Sequence, residues 1–394
     1  MKIGYLSFGR DDFNYGLALC LSRLNGHKVY RITPKTARHV DVLLFSCFWW
    51  EHIYLLADFL RRAGIRKINK DRPRIVVGGF NTFNPAPFLG YADAVVVGDG
   101  ELVVEKALAG DDHPGILTDG KLSAVWQNNP SPPAFCHETN DIARIELARG
   151  CRFNCRFCAV SALKPYREVP VEGVERCLKH TKLKRVSLFA PEPTMHSEDE
   201  VVEDLCHRYG KLRVDSDVRL DRLAHRKDSV PRVGIEGLSE RLRRSVNKPY
   251  SDEQIVESVR CAIADGRRGM FMYIILDLPG EAREDWDAFG ALLRRIGELP
   301  GAGEFLLKPS PSVFMPSPHT PMEGDGIHFD RPYGKMWEEF FGRGDARRWE
   351  VMMAERARVF GPAPRVLSML STRSGGASFD SNIYRRKTVV KCFF

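Results

Sequence analysis

The stretch ELARGCRFNCRFCAV (146–160) places Cys151, Cys155 and Cys158 within eight positions, directly after an apolar run that reads as a strand. A structural zinc site takes four ligands and usually pairs one Cys-x-x-Cys with a second pair further along. No second pair follows at usable spacing, and Cys136 and His137 upstream are the only nearby candidates. Three ligands on one tight loop leave a metal or cluster with an open coordination position, which is the arrangement of a reactive site. Thiolates at this density suit zinc or an iron–sulfur cluster, and a four-iron cluster held by three cysteines keeps one iron free for a bound molecule. The other seven cysteines (Cys20, Cys47, Cys136, Cys177, Cys206, Cys261, Cys392) stand alone and read as small buried apolar residues.

The elements that must position this loop come in two groups. Over residues 1–125, KIGYLSF (2–8), HKVYRIT (27–33), DVLLFSCF (41–48), RIVVGGF (74–80) and ADAVVVGDG (92–100) are short, Val/Ile-rich and bounded by Gly, Asp or Asn, as strands are. NYGLALCLSRLNG and WEHIYLLADFLRRAGI between them repeat apolar residues at helical spacing. This alternation predicts an α/β domain with a doubly wound, Rossmann-like parallel sheet. Ligands of such sheets lie outside the carboxyl ends of the strands, which here carry SCFWWE, GGFNTFNP and GDGE. Gly78 and Gly79 would let the backbone approach a flat ligand, and Phe48, Trp49 and Trp50 could cover one of its faces.

WQNNPSPPAFC (126–136) is too rich in proline to continue a helix or a central strand, so residues 126–140 are expected to form a linker. Alternation restarts over 141–320, with strand candidates ARIELARG, RVSLFAP (185–191), LRVDSDVRL (212–220), PRVGIEG (231–237), GMFMYIILDLPG (269–280) and EFLLKPSPSVF (304–314). Helical segments around 197–210 and 251–266 separate some of them, the latter with Ser251 as N-cap. Six units are too few for a closed eight-fold barrel and predict a partial (β/α)6 barrel, its functional rim again at the carboxyl ends. A basic and aromatic extension over 321–394 is expected to cover the barrel opening, with His319 near its mouth.

The Cys-x3-Cys-x2-Cys spacing, with Phe157 just before the last cysteine and the loop following the first barrel strand, resembles the defining motif of the radical S-adenosylmethionine (SAM) enzymes. That resemblance implies a 4Fe–4S cluster on Cys151, Cys155 and Cys158 whose free iron is chelated by SAM. Reductive cleavage then gives methionine and a 5′-deoxyadenosyl radical that removes hydrogen from an unactivated carbon. It also implies an external electron donor of the flavodoxin or ferredoxin type. Further SAM contacts follow from the same likeness. Glu192 in APEPT (190–194) is the candidate for the methionine amino group, with Ala-Pro where the family has Gly-Gly. Ser216 and Arg219 in SDVRLD are the candidates for its carboxylate, which a guanidinium pairs with bidentately. Glu236 lies in a stretch common in the branch with an N-terminal ligand domain, and Asp277 in YIILDLPGE (273–281) stands where Gly is usual in the adenine-contacting segment.

The first domain is similar to the cobalamin-binding domains of that branch, although the Asp-x-His-x-x-Gly loop that supplies an axial His elsewhere is absent. Cobalamin is therefore a candidate third cofactor, with Trp49, Trp50, Gly78 and Gly79 as its candidate site. The reactions implied are methyl transfer through cobalamin or, alternatively, a cobalamin-independent rearrangement or nucleobase modification. From another class, the rival is a metal-stabilised nucleic-acid-binding protein without catalysis. An excess of 59 Lys+Arg over 51 Asp+Glu is compatible with a nucleotide or nucleic-acid substrate and equally with a solvated basic face. The N-terminus lacks the layout of a secretory signal, and no apolar run approaches the roughly 20 residues of a membrane helix. No membrane partner and a cytoplasmic location are the expectations.

Overall fold

The computed structural model describes residues 1–8, 14–48, 52–118, 131–214, 220 and 231–325. Trp49, Trp50, Ser216, Arg219, Cys392, the front of the expected linker and residues 326–394 of the extension lie outside them.

In the first half, β1 (Lys2–Ser7), β2 (Lys28–Arg31), β3 (Val42–Ser46), β4 (Arg74–Gly78), β5 (Ala94–Val96) and β6 (Ile116–Leu117) form one sheet in the order β2-β1-β3-β4-β5-β6. The first five are parallel, and β6 closes the edge antiparallel to β5. The connections contain α1 (Tyr15–Leu21), α2 (His52–Ala63), α3 (Ala86–Leu89) and α4 (Val104–Ala109). Central β3, VLLFS, is buried at every position because helices cover both its faces. Val42 and Leu44 pack with Leu17 of α1 and Leu108 of α4, whereas Leu43 and Phe45 pack with Leu56 and Phe59 of α2 and Phe88 of α3. Edge strand β2, KVYR, keeps its charges in water.

The second half holds β7 (Cys136–Thr139), β8 (Ile142–Glu146), β9 (Ala148–Arg149), α5 (Ala159–Leu163), β10 (Arg167–Glu168), α6 (Val171–His180), β11 (Arg185–Phe189), α7 (Asp199–Arg208) and β12 (Leu212–Arg213). It continues with β13 (Arg232–Glu236), α8 (Glu240–Ser245), α9 (Asp252–Ala264), β14 (Gly269–Leu276), α10 (Arg283–Gly297) and β15 (Leu306–Val313). Among the described residues the strands do not make one continuous wall: β12-β11-β8-β7 is one sheet, β13-β14-β15 another, and β9 pairs with β10 alone. Strands β8, β11 and β12 are parallel, as are β13, β14 and β15. A capping box between Ser251 and Gln254 starts α9, as the Ser251 N-cap led one to expect.

The expected linker of 126–140 ends in structure. Its last residues are β7, which turns through Asn140 and Asp141, at φ 48° and 60°, into antiparallel β8. Two consecutive left-handed residues in a two-residue loop match the twist of a hairpin, and Asn and Asp tolerate them. Strand β15 contains Pro309 and Pro311. Leu306 and Phe314 donate their N–H groups to Arg268 and Leu276 carbonyls on the β14 side, so even-numbered residues face β14 and both prolines fall on the other edge. That edge has no partner strand among the described residues, and there a missing donor breaks no ladder bond.

Candidate functional site

The cysteine loop leaves β9 through Gly150, at φ 74°, where a Cβ would lie 2.4 Å from the carbonyl oxygens of Lys164 and Pro165. Only glycine fits this entrance. The far side of the loop docks on the turn after α8: the Arg156 N–H donates to the Val246 carbonyl (3.1 Å), and the Asn247 amide donates to the Asn154 carbonyl (2.7 Å). Phe157 packs against the core of the β13-β14-β15 half, so its ring serves to seat the loop.

Burial raises the thiol of Cys151 and pushes that of Cys155 up to about 12, against the pull of Lys248 on both. Each thiol is also raised by Cys158, which shows that the three lie within electrostatic reach of one another. Among the described residues no three His, Cys, Asp or Glu side chains converge as a single metal ion would require. A four-iron cluster makes a different demand, since each thiolate binds its own iron and the three stand around the cluster. The donor set therefore fits a cluster on Cys151, Cys155 and Cys158. Binding would displace the protons that burial holds on Cys151 and Cys155.

Three of the expected SAM residues sit at or just past carboxyl ends of strands, and two of them, Glu192 and Glu236, lie within electrostatic reach of this loop. Glu192, just past β11, accepts from the Thr194 hydroxyl (2.7 Å) and the Thr194 N–H (3.3 Å), and its charge acts on Cys151. Glu236 closes β13 and Asp277 follows β14, and both hold left-handed backbone at φ 67° and 63°. Such strain on non-glycine residues collects where side chains must be aimed. Asp277 is buried, and its N–H donates to Glu281 (2.7 Å).

Lys248, which the motif reading had not singled out, joins them. Its ammonium lies 3.6 Å from the Glu236 carboxylate, with both side chains 15% exposed, and sits over the rings of Phe153 and Tyr250 at 5.7 Å. Burial works against the charge on Lys248, but Glu236, Cys155, Tyr250 and Glu192 outweigh it and hold the group above its ordinary range. Glu236 itself is raised by burial against the pull of Lys248. The site thus keeps a fixed positive charge next to the thiols. A Cβ on Gly234 would lie 2.2 Å from Glu236 Oε1, so that glycine makes the room in which the carboxylate folds back.

At the carboxyl rim of the N-terminal sheet, the Asn14 amide donates to Ser7 Oγ (2.7 Å) and Ser46 Oγ (2.8 Å), bridging the ends of β1 and β3. His52 accepts the Phe48 N–H at Nδ1 (2.9 Å) and is buried, which lowers its pKa to about 4. Gly78 leaves space, since a Cβ there meets only Val96 at 3.7 Å. Gly79 has a different reason to be glycine from the one expected. At φ 112° its Cβ would lie 2.5 Å from the Cys47 carbonyl oxygen, so the fold itself demands it. His319, expected near the barrel mouth, reaches the Phe83 carbonyl (3.1 Å) and ties the two halves of the chain together. Cys47 and Cys206 are buried as expected, but Cys261 is exposed.

Comparison with known proteins supplies the deciding observation. The profile of the Radical SAM superfamily matches residues 145–293, from the end of β8 through most of α10 and over the whole cysteine loop. Those residues form a radical SAM domain. A second profile, radical SAM proteins, N-terminal, matches residues 25–111 of this radical SAM protein. A Methanocaldococcus jannaschii protein provisionally named a methylthiotransferase is 26% identical over 66% of the chain and 66% of its own length. An uncharacterized protein of the same organism is 26% identical over 45% of the chain and 42% of its own length.

In fold, the chain is similar to the cobalamin-dependent S-adenosylmethionine radical enzyme OxsB. With aqua-cobalamin bound, that structure aligns with a TM-score of 0.54 at 16% identity over 76% of this chain and 52% of OxsB. With SAM also bound it aligns with a TM-score of 0.52 at 14% identity over 90% and 56%. The radical SAM chain thus spans less than two thirds of the length of each of these relatives, and the likeness to OxsB extends into the N-terminal region. No helix among the described residues is long and apolar enough to cross a membrane.

Proposed function

We propose that this chain cleaves SAM reductively at a 4Fe–4S cluster and functionalises an unactivated carbon, with methyl transfer through cobalamin as the leading reaction. The observation that carries the proposal is the gathering of Glu192, past the carboxyl end of β11, Glu236, at the carboxyl end of β13, and Lys248, from the turn after α8, around a loop of three cysteines. When bound, the cluster supplies the electron that breaks a carbon–sulfur bond of SAM. Cys151, Cys155 and Cys158 would hold the cluster. Glu192 receives the amino group of SAM, Ser216 and Arg219 its carboxylate, Glu236 and Asp277 aim the strand ends that line it, and Phe157 seats the loop. The six parallel strands β8, β11, β12, β13, β14 and β15 make up the partial barrel, and the reductant is a flavodoxin- or ferredoxin-type protein.

For cobalamin, the strand order β2-β1-β3-β4-β5, with helices on both faces, supports a doubly wound domain whose ligand crevice opens at β1 and β3, where the order reverses. Open space at Gly78 and the exposed Phe48 ring suit a flat ligand on this rim. Nδ1 of His52 accepts the Phe48 N–H, which leaves the proton of the neutral ring on Nε2, and the ring is buried, so His52 would offer a metal neither nitrogen. The second reading is methylthio transfer, favoured by the name of the archaeal relative. A rearrangement or nucleobase modification without cobalamin is the alternative if no corrin binds.

Anaerobic reconstitution tests the whole. The protein should turn brown with about four irons and release methionine and 5′-deoxyadenosine from SAM under reduction. Hydroxocobalamin should remain with the protein through gel filtration. A colourless zinc protein would remove the reading, and SAM cleavage without corrin retention would remove methyl transfer alone.

A further inference from the structure

The cysteine loop is gripped at both of its roots by the N-terminal half. Arg149, two residues before Cys151, and Arg167, after the loop returns, are direct cross-strand neighbours in the β9–β10 pair. Arg149 Nη1 lies 2.5 Å from Glu101 Oε1 and 3.1 Å from Asp99 Oδ1, and its Nη2 lies 2.9 Å from Glu146 Oε2. Arg167 Nη1 donates to the other oxygen of Asp99 at 2.7 Å. Asp99 and Glu101 belong to the GDGE segment that follows β5, on the rim where the N-terminal sheet presents its strand ends.

All of these groups are withdrawn from water, with side chains 4% exposed for Asp99 and Glu101, 9% for Arg149 and 11% for Arg167. Burial opposes the charge on Asp99, yet Arg167 and Arg149 hold its carboxyl below the usual range. Screening is weak in such surroundings and Asp99 bridges the two arginines with one oxygen each, so the contact resists sliding. Lys164, inside the loop, adds a second tie by placing its ammonium 5.4 Å from the Phe80 ring centre on the same rim.

We propose that Asp99 and Glu101 are positioning residues for the cluster: by fixing both roots of the cysteine loop they make the N-terminal rim and the three thiolates one rigid piece. The proposal rests on the cluster assignment above. Its consequence is that removing either carboxylate loosens the cluster without removing a ligand, as loss of an outer partner does at other metal sites.

The test uses the full chain, reconstituted anaerobically, as wild type, Asp99→Asn, Glu101→Gln and Asp93→Asn. Asp93 is the control: it holds Arg72 through two contacts of 2.6 Å in a partly buried pair, with side chains 20% and 11% exposed, whose contacts among the described residues are all away from the cysteine loop. Melting temperature, the rate of iron loss to a chelator and the electron paramagnetic resonance spectrum of the reduced cluster are recorded for each. Asp99→Asn and Glu101→Gln should lose iron at least about tenfold faster than wild type and show an altered spectrum. Asp93→Asn should lose melting temperature while keeping both iron and spectrum. If Asp99→Asn does not fold, the milder Glu101→Gln decides. Wild-type iron retention and spectrum in the Asp99 and Glu101 variants would overturn this proposal alone, and so would equal iron loss in Asp93→Asn at equal melting temperature. A wild type that takes up no iron would bring down the cluster assignment and this proposal with it.

Discussion

Glu281 offers a quantitative test of the site's architecture. It is 5% exposed, and its two oxygens accept the Asp277 N–H (2.7 Å) and the Trp286 indole N–H (3.0 Å) at the end of β14. Burial pushes its pKa up to about 7 from an ordinary 4.5, although both donors pull it back. Between those values the folded protein keeps the proton that the unfolded chain has lost. Folding therefore binds a proton, and the stability this group confers is full below about pH 4.5 and is lost as pH rises to about 7. At about 1.4 kcal/mol per pKa unit, the loss is about 3 kcal/mol.

Glu281→Gln removes the titration but keeps one acceptor. Urea unfolding of both proteins between about pH 4.5 and 8 gives the stability gap at each pH. Taking the difference cancels Asp93, Asp99 and Glu168, whose lowered pKa values tilt stability the opposite way. The wild type should lead by about 3 kcal/mol more at the acid end than at the alkaline end. A gap that stays constant with pH would refute the reasoning, because it would mean that the carboxyl ionises as freely in the fold as in water.

Changing Cys151, Cys155 or Cys158 to Ala should each abolish cluster assembly, read as iron content, whereas Cys261→Ala, on the exposed face of α9, should leave it unchanged. Lys248→Met strands Glu236 without its partner and should cost about 3–5 kcal/mol in denaturant unfolding. Adding Glu236→Gln should recover much of that loss, and an additive double variant would show that the pair is not coupled. Gly79→Ala should destabilise the protein by about 1–3 kcal/mol with or without cobalamin, because the strain is against Cys47. Gly78→Ala should be close to neutral in the same measurement.

Much of this was legible in local sequence. The Val- and Ile-rich runs of the first half became β1 to β5 because each is a buried parallel strand or its edge, and such strands announce themselves by continuous apolar composition. The cysteine spacing was legible for the same reason: its signal lies within eight residues. What escaped is either short or distant. The β7–β8 hairpin was absorbed into a proline-rich linker, although Asn140-Asp141 carries the turn signal. Gly79 announced a need for glycine but not for whose sake, since Cys47 belongs to another strand. Lys248, Asp99 and Glu101 act on partners that only the folded chain brings near, and no periodicity points to them. The division of the six parallel strands of the second half between two sheets leaves no local mark, because each strand reads the same whether or not its neighbour pairs with it.

The prolines of β15 have a consequence for how copies of this protein behave together. The outer edge of β15 is a row of backbone groups, and a second chain could in principle lay a strand there and continue the sheet. Pro309 and Pro311 present ring carbons at two successive positions where such a strand would look for donors. Lateral growth is therefore interrupted along this edge of β15, which has no partner strand among the described residues.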